Sequence, residues 1–346
     1  MKILFVSTSV VALGTSRYGG IEKMELDMIK AQTARGHQVT VAAPVGSKVP
    51  KGVELIETVK LPEEQDNDQL AFEQSLINWS SNGKVFDVIH DFSHGHRFAW
   101  NLGNVYPIIS HLWDPVVHKY NKAPYNILCL SRWQAHRFEQ LYNQKARVMP
   151  PWVDTDFYTP VGDPDRERFL FVGKLTAEKG VHLALEYARE LEVPLDIVGG
   201  LIPSDSRGYY NELSDNVDYA QSQGNNVTLK FNATEEEKLK LMQNAKAVIY
   251  PVQQDEAHWL VGLEAWACDT TTIVLGKGSM SEIHSGSTRL KVGSIAEDKE
   301  QFLEAMKNTK VPLGQCRYYA KQEYGLETVA RRYEELYKEV AGGERW

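Results

Sequence analysis

The chain has 346 residues, of which 42% are hydrophobic and 24% are charged, a balance that supports two globular domains. Its formal net charge of -8 argues against nucleic acid or an anionic membrane as the main partner, because both require a basic surface. The three cysteines show neither disulfide nor zinc-site spacing, and no run of about 18 apolar residues predicts a transmembrane helix.

The first half of the chain alternates short apolar runs with helical segments. Lys2–Ser7 is a continuous apolar run typical of a strand buried in a parallel sheet. A glycine-containing loop then leads into a predicted helix at Ile21–Arg35, and Gln38–Ala43 follows as the next strand, which completes a βαβ unit. Four more strands are predicted in this half, at Val85–His90, Pro107–Leu112, Asn126–Ser131 and Ala146–Pro150.

The same pattern restarts after a proline-containing stretch at residues 150–164. The segments predicted as strands are Arg168–Val172, Leu195–Val198, Val227–Phe231, Ala247–Pro251 and Thr272–Leu275, with a helix at Val181–Glu190. Two successive arrays predict an α/β protein of two Rossmann-like, doubly wound parallel-sheet domains that face a cleft. We place the first domain at residues 1–160, the second at 161–325, and a C-terminal helix that returns to the first domain at 326–346.

The segment Gln254–Asp269 contains two carboxylates, Glu256 and Glu264, eight positions apart. If the segment is helical throughout, eight steps leave about 80° of net rotation, so both side chains lie on one side. The preceding strand brings the chain to the carboxyl edge of the sheet, where open α/β sheets bind ligands. A helix beginning near His258–Leu260 would direct free N–H groups at a phosphate, while the carboxylates accept hydrogen bonds from sugar or ribose hydroxyls. The alternative is a pair of solvated helix carboxylates.

A second cluster lies in Phe171–Gly180, where Lys174 follows a strand end and Lys179 precedes the next helix. Two ammonium groups in such a loop are well placed to neutralise a diphosphate. Each lysine by itself is more typical of a surface residue. The cluster and the glutamate pair are predicted to lie at the same edge of the same sheet, and each therefore strengthens the other.

Four segments, in this order, resemble the retaining glycosyltransferases of family 4, which have the GT-B fold. They are Gly19-Gly20-Ile21-Glu22, VMPPWVDTDFYTP (Val148–Pro160), FVGKLTAEKG (Phe171–Gly180) and EAHWLVGLEAWACD (Glu256–Asp269). They resemble, respectively, the glycine loop of the first domain, the interdomain segment, the basic diphosphate loop and the paired-glutamate motif. The resemblance covers nearly the whole chain.

The resemblance implies a set of donor contacts. Lys174 and Lys179 would bind the diphosphate, Glu264 the ribose and Glu256 the transferred sugar. The backbone N–H groups of Trp259, Leu260 and Val261 would meet the sugar and phosphate, and Gly19 and Gly20 would approach the diphosphate from the first domain.

The chain also departs from the family pattern. Lys174 replaces the usual Arg, Trp259 and Asp269 replace glycines, and Gly278-Ser279-Met280 stands where the family has a glycine pair. Trp259 either stacks on a donor or acceptor sugar or fills a gap, and the sequence leaves both interpretations open.

Acceptor contacts are expected from the first domain, where several histidines and aspartates follow predicted strand ends. The family often has a histidine on the loop that corresponds to His111–Asp114. We therefore predict His111 or Asp114 as an acceptor contact, with His111 as a candidate catalytic residue and His94 as the alternative. A histidine near a strand end is more often a structural residue than a catalytic one, so a structural role is the alternative for each.

Two segments spell the DxD tripeptide of metal-dependent glycosyltransferases, Asp66-Asn67-Asp68 and Asp154-Thr155-Asp156. The first lies in an acidic loop with no strand leading into it, and the second belongs to the interdomain segment. A metal would also compete with the two lysines for the same phosphates. We expect chance tripeptides, no metal site and no cofactor.

The expected reaction transfers a hexose-type sugar, with retention of configuration, from a nucleotide-diphosphate sugar to the hydroxyl of a soluble sugar or small-molecule acceptor. UDP is the commonest nucleotide of this family, so a UDP-sugar is the expected donor. We expect a cytoplasmic protein with reduced cysteines and at most peripheral contact with a membrane.

Three alternatives remain open. A nucleotide-sugar epimerase shares the architecture, and a non-catalytic relative would bind the donor without turnover. An NAD-dependent oxidoreductase is disfavoured, because no G-x-G-x-x-G follows the first strand.

Overall fold

The computed structural model describes residues 1–8, 11–15, 19–58, 86–94, 96–103, 105–114, 124–200, 207–285, 291–310 and 314–346. These residues form two compact units, Met1–Pro151 together with Leu326–Trp346, and Trp152–Gly325. The second unit begins at Trp152 rather than at the predicted residue 161, because Val153 and Tyr158 are buried in its hydrophobic core.

The first unit is built on a parallel sheet. Its described strands are β1 (Lys2–Val6), β2 (Gln38–Ala43), β3 (Glu54–Glu57), β4 (Val88–Asp91), β5 (Ile108–Leu112), β6 (Ile127–Cys129) and β7 (Arg147–Val148). They follow the order β3-β2-β1-β4-β5-β6-β7. Among the helices of this unit are α1 (Gly20–Ala34), α2 (Arg97–Leu102) and α3 (Arg132–Tyr142). The strands β1, β2, β4, β5 and β6 are almost entirely buried because both faces of the sheet are covered. The strands β4 and β5 nevertheless carry polar residues towards their carboxyl ends.

The second unit repeats the design with a second parallel sheet in the order β10-β9-β8-β11-β12-β13. Its described strands are β8 (Phe169–Lys174), β9 (Leu195–Gly200), β10 (Val227–Phe231), β11 (Ala247–Tyr250), β12 (Thr272–Leu275) and β13 (Gly293–Ala296). Its described helices are α4 (Val181–Glu190), α5 (Arg207–Ser222), α6 (Glu235–Asn244), α7 (Leu260–Ala267), α8 (Met280–Ser285), α9 (Lys299–Lys307) and α10 (Gln315–Tyr319). A 3₁₀ turn, Ala177–Lys179, precedes α4, and a π-helical turn, Ala320–Tyr324, follows α10.

The last helix, α11 (Leu326–Ala341), belongs to the first unit. Its buried residues recur at helical spacing along one face: Val329, Ala330, Tyr333, Leu336, Tyr337 and Val340. Gln32 of α1 donates a hydrogen bond to the carbonyl oxygen of Ala330 at 3.0 Å, and the Arg35 guanidinium lies 2.6 Å from the Glu334 carboxylate. Apolar packing and polar contacts together hold α11 against α1.

Two doubly wound parallel sheets confirm the predicted fold class. The sequence prediction missed β3 and β13, each of which lies at an edge of its sheet. Their sequences, ELIE and GSIA, are short and only partly buried, because an edge strand has one neighbour and needs no continuous apolar run. The strands β2, β10 and β12 were predicted with their observed bounds.

Candidate functional site

The loop after β8 carries both predicted diphosphate lysines. Lys174 is exposed at the last position of β8, and Lys179 ends the 3₁₀ turn. Gly180 then adopts a left-handed conformation, with φ of 76°, and a Cβ there would collide with the carbonyl oxygen of Pro251. The Gln253 N–H also donates to the carbonyl oxygen of Glu178 at 2.8 Å. The loop is therefore braced against the segment that follows β11.

Lys179 and Glu256 form an ion pair between these two segments. The same carboxylate oxygen, Oε1 of Glu256, accepts hydrogen bonds from the Tyr250 hydroxyl at 3.0 Å and from Gln254 Nε2 at 3.2 Å. Burial, followed by the charge of Glu256, raises the pKa of Tyr250 well above its ordinary value, so this hydroxyl remains a donor. The structure thus brings together the predicted diphosphate and sugar contacts.

Glu264 lies on α7 and is held by residues that the sequence prediction did not include. Its Oε1 accepts hydrogen bonds from the Tyr158 hydroxyl at 2.8 Å and from the Lys238 ammonium at 3.0 Å. Its Oε2 is buried and accepts no hydrogen bond from any described residue. The sequence carried no local signal for this cluster, because Tyr158 and Lys238 lie 106 and 26 positions before Glu264.

Helix α7 begins at Leu260, which confirms a helix start within the predicted range, with Trp259 as its N-cap. Glu256 lies before the helix, so the segment is not helical throughout and the condition under which both glutamates would share one helix side is not met. Leu260 and Val261 occupy the first turn, where backbone N–H groups have no intrahelical acceptor. Trp259 differs, because its N–H donates to Nδ1 of His258 at 2.8 Å. That contact occupies the N–H predicted to meet the sugar and phosphate.

Trp259 is 6% exposed and lies among other rings. Its ring stacks on Tyr250 at 4.7 Å with an interplanar angle of 5°, and His284 lies 6.5 Å away at 16°. A Cβ at Gly262 would lie 2.5 Å from the Trp259 ring, so the absence of a side chain at Gly262 makes room for it. These contacts favour the interpretation that Trp259 fills a gap.

Several buried polar atoms around α7 have no hydrogen-bond partner among the described residues. They are Glu264 Oε2, Trp259 Nε1, His258 Nε2 and Ser279 Oγ. Burial and the neighbouring His284 lower the pKa of His258 to about 3, and its Nδ1 accepts the Trp259 N–H, so the neutral ring carries its proton on Nε2. A buried polar atom without a partner costs about 1–3 kcal/mol, which a ligand or ordered water offsets. These atoms are therefore candidate contacts for a ligand or for ordered water.

Asp269 stands where the resembling family has glycine, and its conformation explains that preference. Its φ is 58°, in the left-handed region that glycine adopts readily and aspartate tolerates. Its carboxylate accepts the N–H groups of Gly314 at 2.7 Å and Arg317 at 3.2 Å, at the start of α10. In this chain the side chain caps a helix, which offsets the strain.

In the first unit, Gly19 is the N-cap of α1 and Gly20 its first residue. A Cβ at Gly19 would collide with the carboxylate of Glu22, which accepts a hydrogen bond from the Thr8 hydroxyl. The Ser7 hydroxyl donates to Glu25 at 2.7 Å. The glycine pair therefore lies beside the carboxyl end of β1, and its contact with a diphosphate stays a prediction.

The predicted acceptor residues lie at the carboxyl ends of β4 and β5. His94 and Asp114 are exposed, and His94 Nδ1 lies 3.7 Å from the Asp114 carboxylate. His111 is fully buried, stacks on Trp113 at 4.5 Å and has Nε2 2.8 Å from the Tyr333 hydroxyl. Burial lowers the pKa of His111 to about 3, so the ring is neutral. The exposed pair is better placed for a ligand, and a role for any of the three stays a prediction.

Asp91, the last residue of β4, is completely buried. Its carboxylate accepts hydrogen bonds from the N–H and hydroxyl of Ser93 at 2.9 and 2.6 Å and from the Ser110 hydroxyl at 3.0 Å. Burial raises its pKa to about 6 despite these bonds. These hydrogen bonds account for the burial of the Asp91 carboxyl group by a structural role in the loop after β4.

The described residues contain no group of three or more side chains arranged to hold a metal ion. Oδ1 of Asp154 accepts the N–H groups of Asp156 at 2.9 Å and Phe157 at 3.1 Å, which explains this aspartate as a turn residue. The other DxD tripeptide, Asp66-Asn67-Asp68, lies outside the described residues. None of the helices in the described ranges is long and apolar enough to cross a membrane.

Comparison with known proteins gives these features a context. Residues 157–312, which lie within the second unit, match the family model of glycosyl transferases group 1. No curated protein sequence matches the chain significantly.

Solved structures of glycosyltransferases resemble the whole chain. AviGT4, a glycosyltransferase involved in avilamycin A biosynthesis, is 21% identical with a TM-score of 0.74, and the match covers 100% of this chain and 99% of that one. Sucrose-phosphate synthase from Thermosynechococcus elongatus is 16% identical with a TM-score of 0.79, covering 99% and 100%. HepE of Anabaena, in complex with UDP and glucose, is 16% identical with a TM-score of 0.74, covering 98% and 99%. The chain has the GT-B fold.

Proposed function

We propose that this protein is a retaining, metal-independent glycosyltransferase that moves a hexose-type sugar from a UDP-sugar to the hydroxyl of a soluble acceptor. One observation carries the proposal. In the segment that matches the glycosyl transferases group 1 model, the Lys179–Glu256 ion pair and Glu264 lie in segments that follow neighbouring strands of one sheet. Oε2 of Glu264 has no hydrogen-bond partner among the described residues. Cations, carboxylates and free helix N–H groups are the chemistry that a sugar nucleotide requires.

In this proposal each side chain has one task. Lys174 and Lys179 neutralise the diphosphate and stabilise the charge that develops on it as it leaves. The N–H groups of Leu260 and Val261 add the positive end of α7. Glu256 accepts hydrogen bonds from hydroxyls of the transferred sugar, and Glu264 accepts them from the ribose.

The bond between the anomeric carbon and the diphosphate oxygen breaks while the acceptor oxygen bonds to the same carbon on the same face. The acceptor proton passes to a phosphate oxygen, so no protein carboxylate is needed as a covalent nucleophile. His94 and Asp114 are the proposed acceptor contacts, whereas His111 on β5 is a neutral, buried ring. The UDP preference is supported by the structural similarity to HepE, whose complex contains UDP and glucose.

The first experiment measures thermal unfolding in EDTA with UDP, GDP, ADP, TDP, their sugars and NAD. A ligand at a hundredfold excess over its Kd adds about 2.7 kcal/mol of stability, which raises the unfolding midpoint visibly. We expect a shift with UDP that Lys179→Ala abolishes and that Lys240→Ala, an exposed lysine on α6, retains. A shift with NAD alone, or none with any nucleoside diphosphate, contradicts the proposal.

Product analysis after turnover distinguishes a retaining glycosyltransferase from an inverting one and from an epimerase. Donor with a panel of sugar acceptors should give a glycoside whose anomeric configuration, read by NMR, matches that of the donor. Inverted product excludes the retaining mechanism. Release of UDP from the donor without any acceptor, together with an epimerised sugar, identifies an epimerase instead.

A further inference from the structure

Four side chains of the second unit form a hydrogen-bonded cluster on which the geometry of Glu264 depends. The Lys238 ammonium lies 3.0 Å from Glu235 and 3.0 Å from Glu264, and the Tyr158 hydroxyl lies 2.6 Å and 2.8 Å from the same two carboxylates. The ammonium also lies 5.4 Å from the centre of the Tyr158 ring. Lys238 and Tyr158 are 9% and 0% exposed. They are interior residues placed beside a site residue.

The two donors of the cluster differ in how many bonds they can make. An ammonium has three N–H groups and can bond to both carboxylates at once, whereas a phenol has one proton and donates to one carboxylate at a time. Burial by itself would lower the pKa of Lys238, but Glu264 and then Glu235 more than offset it and hold that pKa above its ordinary value. Lys238 is therefore charged throughout the physiological range. It is the stronger of the two anchors.

Both anchors contact the same oxygen of Glu264, Oε1. The other oxygen, Oε2, is buried and has no partner among the residues that the structure describes. Because Oε1 is fixed by a charged bond, the carboxyl plane cannot rotate without breaking it, and Oε2 keeps one orientation. A single carboxylate oxygen has two lone pairs, which suits two adjacent hydroxyls such as the 2′ and 3′ hydroxyls of a ribose.

We infer that Lys238 and Tyr158 are positioning residues that hold Oε2 of Glu264 in place to bind the ribose diol, so that the protein selects ribonucleotide over 2′-deoxyribonucleotide donors. The inference rests on the proposed function and adds that the 2′ hydroxyl of the donor ribose is required for tight binding. Removal of one hydroxyl leaves the buried oxygen Oε2, which faces no other described donor, short of a hydrogen bond. A bond to a charged group of this kind corresponds to a loss in affinity of about tenfold or more.

The test compares a ribonucleoside diphosphate with its 2′-deoxy counterpart by isothermal titration. The pair used is UDP with 2′-deoxy-UDP, or the corresponding ADP or GDP pair if that base gives the largest thermal shift. We expect the wild type to prefer the ribonucleotide by at least about tenfold. Lys238→Met should reduce that ratio to near one by weakening only the ribonucleotide, and Tyr158→Phe should reduce it by a smaller factor.

Two controls separate positioning from general damage to the domain. Lys240→Met alters an exposed lysine on the same helix and should keep the wild-type ratio. Glu235→Gln removes the competing carboxylate and should leave the ratio unchanged or raise it. A purely structural role for Lys238 predicts that both nucleotides weaken by the same factor, with an unchanged ratio, and that result overturns the inference while the proposed function stands. Binding of no ribonucleoside diphosphate by the wild type overturns both.

Discussion

At the candidate site, the side chains that surround a position decide which residue it tolerates, and they can override that residue's intrinsic helix propensity. Gly262 shows this most directly, because a Cβ there would lie 2.5 Å from Cε3 of Trp259, which is stacked on Tyr250. In an ordinary helix alanine is favoured over glycine by up to about 1 kcal/mol. The indole therefore reverses the usual preference at this position.

We predict that Gly262→Ala lowers the free energy of unfolding by about 1–3 kcal/mol, because the added methyl overpacks the core against Trp259. In a Trp259→Ala background the same substitution should be neutral or stabilising, since the clash is gone. Urea unfolding of the four proteins in this cycle measures the coupling. Gly208→Ala, at the start of α5 with no atom within 4 Å of its added Cβ, is the control and should not destabilise. Equal effects of Gly262→Ala in both backgrounds would contradict the assigned contact.

At the scale of elements, the site depends on loops at the ends of β8 and β11 that are locked to each other. Gly180 is the point of closest approach, and the N–H of Gln253 pairs with Glu178 across the same junction. The ion pair between Lys179 and Glu256 links the two loops directly beside it. A change at Gly180 therefore alters the relative position of both charged groups.

Gly180→Ala should destabilise the protein by more than the left-handed strain of about 1–2 kcal/mol, because its Cβ meets the backbone of Pro251. The matched substitution Gly224→Ala also places alanine at a positive φ, 87°, but meets no atom within 4 Å. Chemical denaturation should show the smaller loss for Gly224→Ala. Titration with UDP should show weaker binding for Gly180→Ala only. Similar stability losses in the two variants would show that the close approach is not a constraint.

At the scale of the whole molecule, buried titratable groups set the dependence of stability on pH. In the second unit, burial lowers the pKa of His258 to about 3 and that of His284 to about 4. The unfolded chain binds protons on these histidines below about pH 6.5, whereas the folded protein does not until much lower pH. Each therefore contributes stability that is complete above about pH 6.5 and is lost as the pH falls.

The first unit contains buried groups whose effects on the pH dependence of stability are opposite: histidines with lowered pKa values and carboxyl groups with raised pKa values. Burial lowers the pKa of His111 to about 3 and also lowers the pKa values of His90 and His37, which acts in the same direction as the histidines of the second unit. Burial also raises the pKa of Asp91 to about 6 and that of Glu25 well above its ordinary value. A carboxyl group with a raised pKa contributes stability at low pH that is lost as the pH rises through that pKa. The two classes partly cancel in this unit.

We therefore predict that the free energy of unfolding falls as the pH is lowered from 6.5 to about 4, and that the second unit loses stability more steeply. Urea unfolding at several pH values, followed by hydrogen exchange of amides in each unit, would measure both slopes. Stability that is independent of pH in this range, or a steeper loss in the first unit, would contradict the assigned burial of these groups.

Local patterns in the sequence were sufficient for much of the architecture and for the chemical types at the site. Continuous apolar runs mark strands buried on both faces, so the two parallel arrays and most of their strands were predictable. The lysine loop and the glutamate motif each occupy a short segment after such a strand, and their order along the chain was therefore visible. These features depend on residues within about one helical turn or one strand of each other.

Tertiary structure decided the state of the individual side chains, because their partners are distant in sequence. Tyr333 on the returning helix α11 lies 2.8 Å from Nε2 of His111, 222 positions earlier in the chain. Tyr158 and Lys238 decide which oxygen of Glu264 remains free. The members of these pairs are too far apart in the sequence for any single helix or strand to contain both. The burial of a side chain also depends on every element that packs around it. The sequence by itself determined where strands, loops and charged motifs occur, whereas only the folded chain determined which of their atoms are occupied and which are left for a ligand.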